Sequence, residues 1–266
     1  MPEALRELTA LAVETAREAG ELARRRRSEG VALAATKSSL ADIVTEADRE
    51  VEDLIRERLS AARPDDGFYG EESGAASVSA SGVTWVVDPI DGTVNYASGI
   101  PAYCVSIAAV TGPLDPEAWT VQAGVVHAPA LGELFQATRG EGAWKDRERI
   151  RVSAVGEAGA LVGTGFGYDP ATHEGDLATV RAVMPVARDL RRMGAAAIDL
   201  AYVAAGRLDA YFERGLHPWD FAAGSLLVTE AGGSFSRFEL DRPRTLTIAG
   251  GSEIHDRLVR IIAGGD

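Results

Sequence analysis

The chain has 266 residues, 46% of them hydrophobic and 25% charged, enough to bury a sizeable core as one unit without disulfides or structural metals. Lys and Arg number 27 against 40 Asp and Glu, and the resulting formal charge of −13 works against non-specific contact with nucleic acid or an anionic membrane. The single cysteine, Cys104, excludes an intramolecular disulfide framework and a cysteine-based zinc cluster, and no uncharged apolar run reaches bilayer length.

Residues 3–29 read as one helix with Pro2 at its start and Leu5, Leu8, Ala12, Ala16, Ala19 and Ala23 at helical spacing. This start is a charged amphipathic helix rather than a signal peptide, so a soluble cytoplasmic protein is expected. Arg24 to Arg27 near its end suit the helix C-terminus as solvated cations. A second helix spans 46–61, and Ser73 to Gly82 reads as a flexible loop or hairpin tip.

Short β-branched and apolar runs then predict strands at 83–87, 103–110, 120–127 and 133–138, with turns at 140–142 and 145–147. Cys104 falls in the second of these strands and is expected to be a buried, inert thiol. Beyond Arg149 the pattern predicts a strand at 161–164, helices at 175–184 and 195–205, a strand at 208–213, and helices at 218–231 and 253–262. Strands flanked by helices imply a layered α/β sandwich with at least two sheets. A boundary near 145 would divide an N-terminal α+β half, about 1–145, from a C-terminal α/β half, about 146–266. No linker marks it, so the halves are expected to pack as a single unit, 1–266.

Four segments concentrate carboxylates beside turn residues: Asp42 to Asp48, Gly70-Glu71-Glu72-Ser73, Asp88-Pro89-Ile90-Asp91-Gly92-Thr93, and Pro218-Trp219-Asp220. Singly, each has a plain alternative: Asp48 and Asp220 would complement helix N-termini, and Glu71 and Glu72 would be ordinary loop acids. The third segment is harder to dismiss. A buried strand delivers Asp88, Pro89 is expected to force a turn, and Gly92 permits an unusual backbone angle. Two carboxylates three residues apart in an apolar setting need a cation, or one must be protonated. Hard oxygen ligands without His or Cys favour magnesium or calcium over zinc. Gly92 and Thr93 then open a helical turn whose free N–H groups suit a phosphate oxygen, and a metal turn joined to a phosphate turn fits metal-assisted phosphoryl transfer.

These motifs resemble the inositol monophosphatase family over most of the chain. Asp88 to Thr93 with Asn95 resembles its first signature. The run from Trp219-Asp220 to Gly224, continuing to Glu230-Ala231-Gly232-Gly233, resembles its second. Gly70 to Ser73 fits the family's glutamate loop, and Asp42-Ile43-Val44-Thr45 with Asp48 the segment before it. The resemblance implies an α-β-α-β-α sandwich, magnesium-dependent hydrolysis of a small phosphorylated polyol, sensitivity to lithium, and a homodimer.

By the same resemblance, Glu71, Asp88 and the Ile90 carbonyl would hold one magnesium ion, and Asp88, Asp91 and Asp220 a second. Glu71 and waters would help hold a weaker third. Thr93 paired with Asp48 would activate the attacking water, with no covalent phosphoenzyme. Substrate would meet Asp91, Gly92, Thr93, Asp220, the Gly194-Ala195-Ala196 backbone, and Glu213 as reader of inositol hydroxyls. Lys37 matches a lysine near the metals, the alternative being an exposed loop cation, and Glu72 is a further candidate. A structural role is expected for His217. Ala195 replaces the usual Ser or Thr, and Asp199 stands where some members have Asn. The same chemistry on histidinol phosphate, fructose 1,6-bisphosphate or a nucleotide 3′-phosphate is the alternative, with Arg191 and Arg192 available to a second phosphate. A regulatory protein of the same fold, contacting RNA or the transcription machinery, is a further one.

Overall fold

A computed structural model describes residues 2–30, 33–36, 43–74, 77–239 and 244–264, with Pro2, 33–36 and 43–45 as backbone only. Lys37 and Asp42 lie outside the described residues.

Among the described residues the elements run α1 (Pro2–Glu29), β1 (Leu33–Thr36), β2 (Ile43–Thr45), α2 (Glu46–Ala62), β3 (Gly67–Gly70), β4 (Val83–Asp91) and α3 (Thr93–Ser98). Then come β5 (Cys104–Thr111), β6 (Thr120–Ala128), β7 (Glu133–Thr138), β8 (Gly142–Lys145), β9 (Glu148–Arg149) and β10 (Ala160–Thr164). The chain continues through α4 (His173–Val183), β11 (Ala187–Arg191), α5 (Ala196–Ala204), β12 (Ala210–Arg214), α6 (Pro218–Glu230), β13 (Ser234–Phe238), β14 (Leu246–Gly250) and α7 (Ser252–Leu258).

Strands β3 to β9 form one sheet in chain order, antiparallel except for the β3–β4 pair. A second sheet has the order β11-β10-β12-β14-β13, with the first three strands parallel. Side-chain alternation assigns the faces. In β5, Val105, Ile107 and Ala109 pack with α1 and α2, whereas Cys104, Ala108 and Val110 pack with α5 and α6. The far face of the second sheet buries Val162, Phe212 and Ile248 with Ile254 and Leu258 of α7. The result is a five-layer α-β-α-β-α sandwich whose middle layer is α5 and α6. Close approach seats α6: a Cβ on Gly124 of β6 would lie 2.9 Å from the Ala223 carbonyl. Among the described residues no helix is long and apolar enough to cross a membrane.

Four readings of the sequence need correction. A hairpin tip at 73–82 is ruled out, because β3 and β4 run parallel and a hairpin joins antiparallel strands. The last helix ends at Leu258 and continues as a π-helical turn, Val259–Ala263. Strands β1, β2, β3, β8, β9, β11, β13 and β14 were not anticipated. Pro89 makes no turn: β4 runs on to Asp91 through a bulge in which Asp88 pairs Ser106 and Asp91 pairs Cys104.

Candidate active site

That bulge builds the centre of the site. Residues three apart on a regular strand point to opposite faces. Here Pro89 and Ile90 together oppose Val105, so the extra residue returns Asp91 to the face of Asp88. Both carboxylates are buried, at 2% and 9% exposure, and face a cavity of about 450 Å³. Glu71, on the loop after β3, and Asp220, in the first turn of α6, line the same cavity.

The three aspartates are held by backbone donors. Ile90 N–H donates to Asp88 Oδ1 at 3.1 Å, and His217 N–H donates to Asp220 Oδ2 at 2.7 Å. Asp91 Oδ2 accepts the Ala197 N–H at 2.7 Å, so a side chain ending β4 caps helix α5. A further carbonyl fixes α6, since Ser106 Oγ donates to the Trp219 carbonyl at 3.1 Å. Trp219 meets Tyr69 edge-on and stacks on His217 at 5.1 Å, and His217 also lines the cavity.

Electrostatics follow from burial and crowding. Burial, then the charges of Glu71, Asp91 and Asp220, pushes the Asp88 carboxyl well above its usual range. Burial does the same to Asp220, reinforced by Asp91 and Glu71. Asp91 is pushed up to about 7 by burial, opposed by the Ala197 and Ala196 amides that cap onto it. The Cys104 thiol lies 3.8 Å from Asp91 and is raised by burial and by both aspartates, as an inert thiol would be.

The turn after Asp91 is fixed by Gly92, at φ 90°, where a Cβ would lie 2.9 Å from the Ala102 carbonyl and 3.1 Å from Ala195 Cβ. Thr93 Oγ1 donates to Asp48 Oδ1 and to the Ile90 carbonyl, both at 3.1 Å. Asp48 is buried in the first turn of α2. Asn95 Nδ2 reaches across to the Ala102 and Met193 carbonyls at 2.7 and 2.8 Å, tying this turn to the Gly194-Ala195-Ala196 segment.

The opposite wall is polar. Glu213, at the end of β12, receives a hydrogen bond from the Tyr211 hydroxyl. Burial pushes it up to about 7, against the Tyr211 hydrogen bond and the Arg192 charge. Asp199 on α5 is buried beside it, and among the described residues its Oδ1 has no hydrogen-bond partner. Burial, then Glu213 and Asp91, raises this carboxyl well above its usual range.

The donor set fits a hard divalent cation: several carboxylates and the Ile90 carbonyl crowd together, and a cation would relieve their repulsion. The donors are oxygens without His or Cys, the chemistry of magnesium or calcium rather than zinc. Of the expected site residues, Glu71, Asp88, Ile90, Asp91, Gly92, Thr93, Gly194, Ala195, Ala196, Glu213 and Asp220 all line the cavity, with Asp48 behind Thr93. Sequence reasoning passed over the capping of α5 by Asp91 and the Asn95 stitch. No local pattern announces a contact spanning about a hundred residues.

The family model described as "Inositol monophosphatase family" matches residues 4–262. An inositol-1-monophosphatase SuhB of Mycobacterium tuberculosis is 45% identical over 255 residues, covering 89% of this chain and 85% of its own. A protein of Haemophilus influenzae named Nus factor SuhB is 39% identical over 231 residues, covering 86% and 84%. The crystal structure of extragenic suppressor protein suhB from Bartonella henselae superposes with a TM-score of 0.87 at 37% identity, over 98% of this chain and 100% of its own. The chain belongs to the inositol monophosphatase family.

Proposed function

We propose that the chain is a magnesium-dependent phosphomonoesterase whose main substrate is myo-inositol monophosphate. The observation that carries this reading is the convergence of Glu71, Asp88, Asp91 and Asp220 beside the Thr93–Asp48 pair, across one cavity from Glu213. Magnesium held by Glu71, Asp88, Asp91, Asp220 and the Ile90 carbonyl would offset the charge of the phosphoryl oxygens and make hydroxide accessible near neutral pH.

The chain's own groups divide the remaining work. The Thr93 hydroxyl has one proton, within reach of both Asp48 and the Ile90 carbonyl; directed to Asp48, it leaves the lone pairs to orient the attacking water and take its proton, with Asp48 receiving the threonine proton. Backbone donors at Gly92 and Thr93 face the phosphoryl oxygens. Glu213 accepts hydroxyls of the leaving polyol, and its carboxylate disfavours a second phosphate. A homodimer in the cytoplasm is the expected setting.

Phosphate release is the test, from inositol 1-phosphate, histidinol phosphate, fructose 1,6-bisphosphate and a nucleotide 3′-phosphate, with and without magnesium, in the wild type and Asp88→Asn. Magnesium-dependent release that prefers inositol phosphate and vanishes in the variant is expected. Preference for another ester would keep the mechanism and discard the role of Glu213. Release from none would favour the second reading, a regulatory protein, for which the name of the Haemophilus influenzae relative speaks.

A further inference from the structure

We propose that Glu52 is a positioning residue for the magnesium end of the site, acting through the backbone of the Glu71-Glu72 loop. Glu52 lies on α2 one turn after Asp48, so the two carboxylates share a face of the helix. Asp48 reaches Thr93, as described above. Glu52 reaches the other side of the site: its Oε2 accepts the Glu72 N–H at 2.8 Å. The contact is closed to solvent, with the Glu52 side chain only 3% exposed. It is also tight, because any Cβ on Gly70 would collide with the Glu52 carboxylate.

The carboxylate is itself held. Arg56 Nη2 donates to Glu52 Oε1 at 2.9 Å, and the Arg56 guanidinium lies over the Phe68 ring of β3, 4.6 Å from its centre. One turn of α2 therefore serves as a ruler with two marks. One sets the threonine of the water-activating pair, and the other sets the loop that presents Glu71. A neutral loop residue would satisfy the Glu72 amide through water. A buried, ion-paired carboxylate makes a stronger and stiffer bond, which suits a loop that must hold its place while Glu71 repels Asp88. Partners that orient a ligand from behind typically govern metal affinity about 10- to 100-fold when removed.

The inference rests on the metal reading of Glu71, so the test measures metal directly. Mn2+ is titrated into metal-free protein and the free ion read by electron paramagnetic resonance, with Mg2+ as competitor and thermal unfolding recorded alongside. The variants are Glu52→Ala, Glu52→Gln and Ile55→Val, the last a buried apolar change on the same helix that keeps the Glu52 carboxylate. Affinity should fall about tenfold or more in Glu52→Ala and less in Glu52→Gln, whose amide oxygen can still accept from Glu72. Ile55→Val should lower Tm and leave affinity unchanged. Wild-type affinity in a folded Glu52→Ala overturns the proposal, as does an affinity loss in Ile55→Val that matches its loss of Tm. If Glu52→Ala does not fold, wild-type affinity in Glu52→Gln overturns it. A wild type that binds no Mn2+ sinks the metal reading and this inference together, whereas unaltered variants of a metal-binding wild type sink only the inference.

Discussion

Replacing Glu213 by Gln should make the metal-free protein more stable at pH 8 while weakening its action on a polyol phosphate. The carboxyl rises from an ordinary 4.5 to about 7 because it is buried. A folded state that holds the proton more tightly than the unfolded chain gains stability that is complete below pH 4.5 and lost as pH passes 7. At about 1.4 kcal/mol per pH unit the gap corresponds to about 3 kcal/mol, missing at pH 8 and mostly restored at pH 5. Gln carries no such cost and gives up part of the Tyr211 hydrogen bond, worth about 1 kcal/mol. The net gain at pH 8 is therefore about 2 kcal/mol, a rise in Tm of about 4–8 °C. The same change weakens acceptance of a substrate hydroxyl, so kcat/KM for inositol phosphate should fall about 10- to 100-fold while a simple aryl phosphate is spared. Differential scanning fluorimetry at pH 5 and 8, with kinetics on both esters, tests the two arms. A lower Tm at pH 8, or equal losses on both esters, would refute the reasoning.

Thr93→Ala should lower kcat about 10²- to 10⁴-fold with little change in KM, since it removes the hydroxyl aimed by Asp48; steady-state kinetics at saturating magnesium reads this. Gly92→Ala puts a Cβ against the Ala102 carbonyl in a left-handed backbone, so a loss of about 1–3 kcal/mol on urea unfolding is expected, with a fall in kcat. Metal-free protein should lose Tm between pH 5.5 and 8, because Asp88, Asp91 and Asp220 all hold protons more tightly when folded. Added magnesium should restore more Tm at pH 8 than at pH 5.5, and an equal effect at both would count against these carboxylates as ligands.

The parts legible in sequence were those whose cause is local. Short β-branched and apolar runs marked β4 to β7, helical spacing marked α1 and α2, and the run Asp88 to Thr93 displayed its chemistry within six residues. Strand β13 went unread because it lies half-buried at a sheet edge, with Arg237 among its residues, and β3 because two of its four residues are glycines. The bulge at Pro89 looked like a turn because proline suits both, and only the pairing with β5 separates them. Glu52 gave no signal at all. An acidic residue in a helix is ordinary until the Glu72 amide arrives beside it from twenty positions away.

The interleaving of the layers also dictates when the cavity can exist during synthesis. The face of the first sheet that carries Asp88 is covered by α5 and α6, which follow it in the chain by about a hundred residues. At ribosomal speeds of about 5–20 residues per second, that face waits at least several seconds for its cover. Over that interval the nascent chain has an apolar surface suited to a chaperone, and Asp91 has no helix to cap. A gene cut near residue 150 would leave its first product without Asp220, and a free-standing first half would aggregate rather than work.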